Sequence, residues 1–203
     1  MGGVTISSEH INIASKVEIN GNLYTVTSLA THMLLGPSAT TDLTKLKTIT
    51  IPNTVTNIGV MAFSGASSLI EITIPSTVTS IGVGAFNETP WFQEYKINAT
   101  DGLVIVNNIL INATTATGDV KIPSGVTKIN DDAFKFGLTG NTSITSITIP
   151  NSVTSVGSYI FGGCTSLTEI RVYWEEGNKP EGWDENWNGS SATVVYGYTG
   201  ESE

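Results

Sequence analysis

The sequence predicts a mainly-β repeat solenoid, a right-handed superhelix of coils of about 23 residues with short parallel strands, few or no long helices, and capped ends. Three observations predict it. First, LKTITIPNTVTNIGVMAFSGASS from Leu46 is followed in register by LIEITIPSTVTSIGVGAFNETP from Leu69, which sets the period at 23. This places Ile49 over Ile72, Pro52 over Pro75, Val55 over Val78, Ile58 over Ile81 and Phe63 over Phe86. Second, VKIPSGVTKINDDAF (residues 120–134) and ITIPNSVTSVGSYIF (residues 147–161) repeat the same order of residue types. Third, Cys164 is the only cysteine, so no disulfide scaffold is possible and stability must come from stacked apolar rungs.

Within a coil, Ile49-Thr50-Ile51 alternates as a short strand does, both isoleucines inward and Thr50 outward. Pro52 ends the pairing because it lacks an N–H. Val55 and Ile58 turn inward on the return side, Gly59 or Gly82 permits a tight bend, and Ala62-Phe63 sends an aromatic into the interior. A single coil cannot bury its own apolar wedge. Stacking at about 4.8 Å per strand joins the wedges into one core and pairs the strands in parallel.

The departures from the period predict loops and caps. An irregular coil at residues 87–119 holds residues 103–106 and 109–111 around Asn107-Asn108, a type I′ hairpin signal. Further inserted residues lie in KFGLTGNTS and around Gly36 and Pro37, the latter after a degenerate first coil, YTVTSLATHMLL. Residues 16–19 and 23–26 flank Asn20-Gly21-Asn22 as an N-terminal cap hairpin. The expected organisation is one domain over residues 1–203: an N-terminal cap at 1–26, repeats at 24–173 and an aromatic C-terminal cap at 174–203.

Composition excludes some functions. Nine Lys and Arg against eighteen Asp and Glu give a net charge of -9, which disfavours a nucleic-acid partner, since phosphate binding needs a basic stripe. No stretch reaches the roughly 18 apolar residues of a membrane span, so no membrane insertion of this segment is expected. Neither a charged n-region nor an apolar h-region of a signal peptide is present at the start of the sequence.

The pattern ITIP-x-x-V-T-x-I-G-x-x-A-F resembles the BspA-like, or Treponema-type, leucine-rich repeat of bacterial surface proteins, over roughly residues 24–173. Its proline after the strand and its late Ala-Phe replace the asparagine ladder of other leucine-rich repeats. The segment W-E-x4-P-x-G-W-D-x-N-W-N, ending in V-V-Y-G-Y, is similar to the terminal segment of many such proteins. The resemblance implies a secreted or cell-surface bacterial module for adhesion or protein binding, often toward host extracellular components, its signal peptide lying outside this chain.

Binding is therefore expected on the outward strand positions: Thr48 and Thr50, Glu71 and Thr73, Asp119 and Lys121, Ser146 and Thr148, Glu169 and Arg171, joined by Asn108 and Leu110. Of these only Arg171 is a residue type that commonly anchors an interface, so the bland alternative is a solvated sheet. Trp174, Trp183, Trp187, Tyr196 and Tyr198 are either a cap over the last coil or a glycan platform on which rings stack. The cap is favoured, because an uncapped end exposes a strand edge. Trp91 and Phe92 are expected to pack over the widened coil.

Catalysis finds no constellation. The chain has only His10 and His32, far in sequence from Cys164, which stands three residues after Phe161 in the register that Ala66 holds after Phe63. Adjacent Glu175-Glu176 would point to opposite faces of a strand. No Cys-x-x-Cys, His pair or calcium-loop spacing provides metal ligands, and Asp131-Asp132 sits in an ordinary polar turn. Asn-x-Ser/Thr triplets at Asn87, Asn98, Asn112, Asn141 and Asn188 are what chance gives in this composition. The expectation is a non-enzymatic module, without cofactor or metal, for an extracellular protein or glycan partner. The alternatives are a structural spacer of a larger surface protein and an intracellular protein-interaction scaffold.

Overall fold

The computed structural model describes residues 9–33, 45–137 and 139–200, and the insertion around Gly36 and Pro37 lies outside them. Two compact units are present, Met1–Tyr95 and Lys96–Glu203. Among the described residues the strands are short and mostly pair in parallel, and there is one α-helix, of eight residues.

The first unit carries β1 (His10–Asn12), β2 (Lys16–Ile19), β3 (Asn22–Thr25), β4 (Ser28–Leu29), β5 (Thr48–Thr50), β6 (Asn57–Ile58), β7 (Glu71–Thr73) and β8 (Ser80–Ile81). One parallel ladder runs β1-β5-β7 and a second, on the return side, runs β4-β6-β8. The register is the one the repeat demands, with Ile49 opposite Ile72 and Ile58 opposite Ile81. All four of these isoleucines are buried.

The N-terminal hairpin departs from the expected cap. His10-Ile11-Asn12 is the outermost described strand of the first ladder, with Ile11 opposite Ile49. β2 and β3 pair only with each other, and every one of their residues is exposed. The reason is that the Ile11 alternation matches the coil strand, so the hairpin becomes an insertion between that strand and β4. Its turn is the two residues Asn20-Gly21, both at positive φ (52° and 78°), rather than three, since Ile19 already pairs with Asn22.

The helix α1 (Pro90–Ile97) follows the last coil of the first unit. Thr89 is its N-cap: its hydroxyl accepts from the Phe92 N–H at 3.1 Å and donates to the Phe86 carbonyl at 2.7 Å. Pro90 takes the first helical position, where a missing N–H costs nothing. Trp91 then lies edge-on to Phe86, ring centroids 4.9 Å apart, and Phe92 is buried.

The second unit carries β9 (Val104–Val106), β10 (Ile109–Asn112), β11 (Gly118–Lys121), β12 (Lys128–Ile129), β13 (Lys135–Phe136), β14 (Thr139–Gly140), β15 (Ile144–Ile149), β16 (Ser155–Val156), β17 (Glu169–Val172) and β18 (Thr193–Val195). Its outward ladder runs β11-β15-β17-β18 and its return ladder β9-β10-β12-β16. Asn107 and Asn108 both have positive φ, and β9 and β10 form the expected antiparallel hairpin. That hairpin belongs to the return ladder, through Leu110 opposite Ile129, and Leu110 is fully buried. Asn108 and Leu110 therefore do not join the outward face as expected from the sequence.

Aromatic rings stack from coil to coil inside each unit. Phe63 lies on Phe86 at 5.8 Å and 4°, and Phe134 meets Phe161 at 4.8 Å, which in turn meets Trp187 at 6.3 Å. Burying each ring stabilises by about 1.5–3 kcal/mol. Hydroxyls supply a second, polar tie between coils. Thr54 donates to the Val26 carbonyl, Thr77 to Val55 and Ser152 to Val126, at 2.7, 2.9 and 2.8 Å. The Ser and Thr of the I-P-x-[ST]-V motif are thus not merely solvated.

Asn141 is one of the chance glycosylation triplets, yet it is buried and fully used. Its amide donates to the carbonyls of Ala113 and Ala116, both at 2.8 Å, and its oxygen accepts from the Ser143 and Ile144 N–H groups at 2.7 and 3.3 Å. It stitches the inserted loop to the coil before it. Asn141→Ala is expected to cost about 2–3 kcal/mol, because buried carbonyls and amides lose their partners; urea unfolding monitored by tryptophan fluorescence measures it.

Candidate functional site

The outward faces of the two units differ in chemistry. In the first, His10, Thr48, Thr50, Glu71 and Thr73 are small or flexible polar groups, His10 Nδ1 lying 2.8 Å from the Thr48 hydroxyl. No Trp, Tyr or Arg stands at those positions.

In the second unit Asp119, Lys121, Ser146, Thr148, Glu169 and Arg171 come together as the alternation predicts, Asp119 opposite Ser146 and Thr148 opposite Arg171. They do not form a uniformly exposed ladder. Ser146 and Thr148 are buried, Thr148 hydrogen-bonded to the Arg171 side chain and Ser146 to Asp119. Its Nη1 donates to Asp119 Oδ1 at 2.8 Å and to the Thr148 hydroxyl at 3.3 Å, while Nε donates to Glu169 Oε1 at 2.5 Å. Ser146 donates to the same Asp119 oxygen at 2.5 Å. Thr148 thus supports Arg171 and is itself largely covered.

These bonds hold the charges in place. The Ser146 hydroxyl first, and then Arg171 and Lys121, set the Asp119 carboxyl below the usual aspartate range. Arg171 is pushed higher, burial opposing and the hydrogen bonds to Asp119 and Glu169 prevailing. A depressed carboxylate pKa stabilises the fold above the unfolded value, near 3.9, and that contribution disappears as the pH falls through the folded value. Asp119→Asn is therefore expected to lower the thermal midpoint at neutral pH, with the gap from the parent protein closing below about pH 4; thermal melts across the acid range read it.

The C-terminal segment is where the structure adds most. Residues 182–188 follow the preceding coil as another coil would: the N–H groups of Tyr159, Ile160 and Phe161 donate to the carbonyls of Asn186, Trp187 and Asn188. Trp183 bridges to Val156 in parallel, and β18 continues the outward ladder with Arg171 opposite Val195. Trp183 and Trp187 are 3% and 6% exposed, and the Trp183 indole donates to the Val153 carbonyl at 2.9 Å. Trp174 and Tyr196 pack against this pair, Trp174 with ring centroids 5.5 Å from Trp183 and 5.0 Å from Tyr196. Trp183 and Trp187 thus fill the coil interior, while Trp174 and Tyr196, packed against them, stay partly exposed.

Tyr198 behaves differently. Its N–H donates to the Val172 carbonyl, which places its ring 5.7 Å from the Arg171 guanidinium carbon and edge-on to Tyr173. The Tyr173 hydroxyl donates to the Gly200 carbonyl at 2.9 Å. In sequence Tyr198 belongs to the aromatic group that is either cap or glycan platform, and Tyr173 is not among the outward strand positions, yet Tyr173 follows Glu169 and Arg171 in the same alternation. At the opposite edge of the ladder a mostly polar depression of about 400 Å³ lies beside β11, lined by Asp101, Gly102, Thr115, Thr117 and residues 119–121.

Other candidates resolve more simply. Cys164 is buried, and burial pushes its thiol up, away from a reactive thiolate. Among the described residues no group of three His, Cys, Asp or Glu side chains could hold a metal ion. Among them, too, no helix is long and apolar enough to cross a membrane.

Parallel ladders of short coils, with a proline after the strand and an interior phenylalanine stack, define a leucine-rich-repeat protein. The chain belongs to the BspA type Leucine rich repeat region family, whose model matches residues 35–168 in six copies. No curated protein matches it. Among solved structures it is similar to a leucine-rich repeat protein from Bacteroides ovatus, at 23% identity over 93% of this chain and 63% of that one, with a TM-score of 0.35. It is also similar to the T. pallidum Leucine Rich Repeat protein, at 20% identity over 81% and 72% of the two chains and a TM-score of 0.40. A leucine rich cell surface protein from Faecalibacterium prausnitzii matches at 17% identity over 95% and 88%, with a TM-score of 0.33. The chain thus spans about 63% of the length of the Bacteroides ovatus protein. BspA-type repeat proteins are commonly surface proteins and generally not enzymes.

Proposed function

We propose that this chain is a non-enzymatic binding module of a secreted or cell-surface bacterial protein, recognising an extracellular protein or glycan through the outward face of its second unit. The observation that supports it best is the fixed guanidinium of Arg171, held by Asp119, Glu169 and Thr148 and flanked by the Tyr198 ring. Arg and Tyr are the residue types that most often anchor interfaces, and a side chain already ordered in the free protein loses little entropy on binding. Lys121 and the exposed carboxylates of Asp119 and Glu169 add charge of both signs around that anchor.

The test is binding of the purified chain to an array of extracellular-matrix proteins and glycans, beside variants carrying Lys121→Glu with Arg171→Glu, and Thr73→Glu alone. A hit lost in the double variant and kept in Thr73→Glu is expected. A hit that survives the double variant would move binding elsewhere, and no hit at micromolar concentration would favour a structural spacer.

A further inference from the structure

We infer that the depression beside β11 is a saccharide subsite for a neutral, hydroxyl-rich glycan, with Tyr198 as a second contact across the ladder. This rests on the binding-face reading and names the ligand class for it. The lining is more polar than apolar and carries charges of both signs: carboxylates on Asp101 and Asp119, an ammonium on Lys121, hydroxyls on Thr115 and Thr117, with Val120 between Asp119 and Lys121. Such a lining favours a ligand rich in hydrogen-bonding groups over an apolar peptide side chain, and its mixed signs suit neither a polyanion nor a bare cation. Vicinal sugar hydroxyls each need a donor and an acceptor side by side, which carboxylates, hydroxyls and an ammonium provide together.

The groups are ordered in advance. Asp101 sits at φ 53° and Gly102 at 72°, and a Cβ on Gly102 would stand 2.5 Å from the Ala116 nitrogen, so this turn is pressed against residues 115–116. The Thr115 hydroxyl donates to the Gly102 carbonyl at 3.5 Å. Asp119 takes both of its hydrogen bonds, from Ser146 and Arg171, on Oδ1. Oδ2 takes part in neither of them. The volume, about 400 Å³, falls in the range of small-molecule sites. From β11 to β18 is three strand spacings, about 14 Å, a span that a short oligosaccharide covers while one ring reaches Tyr198.

The experiment is calorimetric titration of the full chain with cellopentaose, mannopentaose and chitopentaose, and with sialyllactose as the anionic comparison. Lys121→Ala, Asp101→Asn and Tyr198→Ala are titrated alongside, with thermal melts confirming that each folds. A neutral pentasaccharide is expected to bind with little salt dependence, about tenfold weaker in Lys121→Ala and Asp101→Asn. Tyr198→Ala should weaken the pentasaccharide more than the corresponding disaccharide. Binding of sialyllactose alone, lost at high salt, would overturn the inference by making the depression an anion site, and so would pentasaccharide binding that the three variants leave unchanged. If no saccharide binds while a protein on the array is still lost with Lys121→Glu and Arg171→Glu, the saccharide inference fails and the binding face stands. If neither binds, both fail.

Discussion

Phe161→Ala is expected to destabilise the second unit by about 3–5 kcal/mol, the usual cost of emptying a buried phenylalanine site. The ring is fully buried, contacts Phe134 on one side and Trp187 on the other, and shares one core cluster with Ile147, Ile170 and Leu167. Each coil contributes one rung, so the cavity opens in the middle of the stack, where the flanking coils are fixed by their own ladders and cannot collapse into it. Phe86→Ala removes the corresponding ring of the first unit, between Phe63 and Trp91, and belongs in the same range. Chemical denaturation of both variants measures it; a loss under about 1 kcal/mol would mean that the rungs are not stacked as described.

Gly82→Ala is the second large effect, expected at about 3 kcal/mol or more, the upper end of overpacking costs. A Cβ there would stand 2.4 Å from the Val60 nitrogen and 2.6 Å from the Gly59 carbonyl carbon, both backbone atoms of the neighbouring coil. Backbone cannot rotate away, and the Gly82 N–H must still reach the Ile58 carbonyl, at 2.7 Å. Gly157 holds the same register, its N–H on the Ile129 carbonyl, but its Cβ would first meet the Asp131 carboxylate, which can swing aside. Gly157→Ala is therefore expected to cost less than Gly82→Ala, and thermal melts of the pair check the order.

That comparison also corrects a reading of the repeat. The glycine of the I-G step looks in sequence like a residue freeing a bend, but neither Gly59, Gly82 nor Gly157 has a positive φ. Coil-to-coil proximity demands it. The left-handed residue comes later in the coil, at Met61, Gly84, Asp132 and Tyr159, with φ between 50° and 64°, where the residue types vary too much to signal it.

The regular coils were legible because one physical requirement, an inward apolar residue at fixed offsets, repeats at Ile49, Ile72 and Ile147. The Asn107-Asn108 hairpin was legible for a different reason, the tolerance of asparagine for positive φ. What escaped was tertiary. The Thr89-Pro90 start of α1 is a capping signal hidden in a stretch without helical periodicity. The last coil is hidden because Trp183 and Trp187 stand where earlier coils carry aliphatic side chains, at Val156 and Ile160. The outward positions were readable from alternation. The burial of Thr148 beneath Arg171 and the arrival of Tyr198 beside it depend on long side chains folding over neighbouring strands, which no spacing encodes.

The proposed binding face depends on residues 193–198 completing the outward ladder, and native-state amide hydrogen exchange tests that most directly. The N–H groups of Thr193, Gly197 and Tyr198 donate to the carbonyls of Thr168, Trp174 and Val172 at 2.9–3.0 Å. Their exchange is expected to be slowed to a degree comparable with β17. Exchange at the rate of an unstructured chain, with β15 and β17 still protected, would contradict it: the C-terminal segment would not be a coil, and Tyr198 would not flank Arg171.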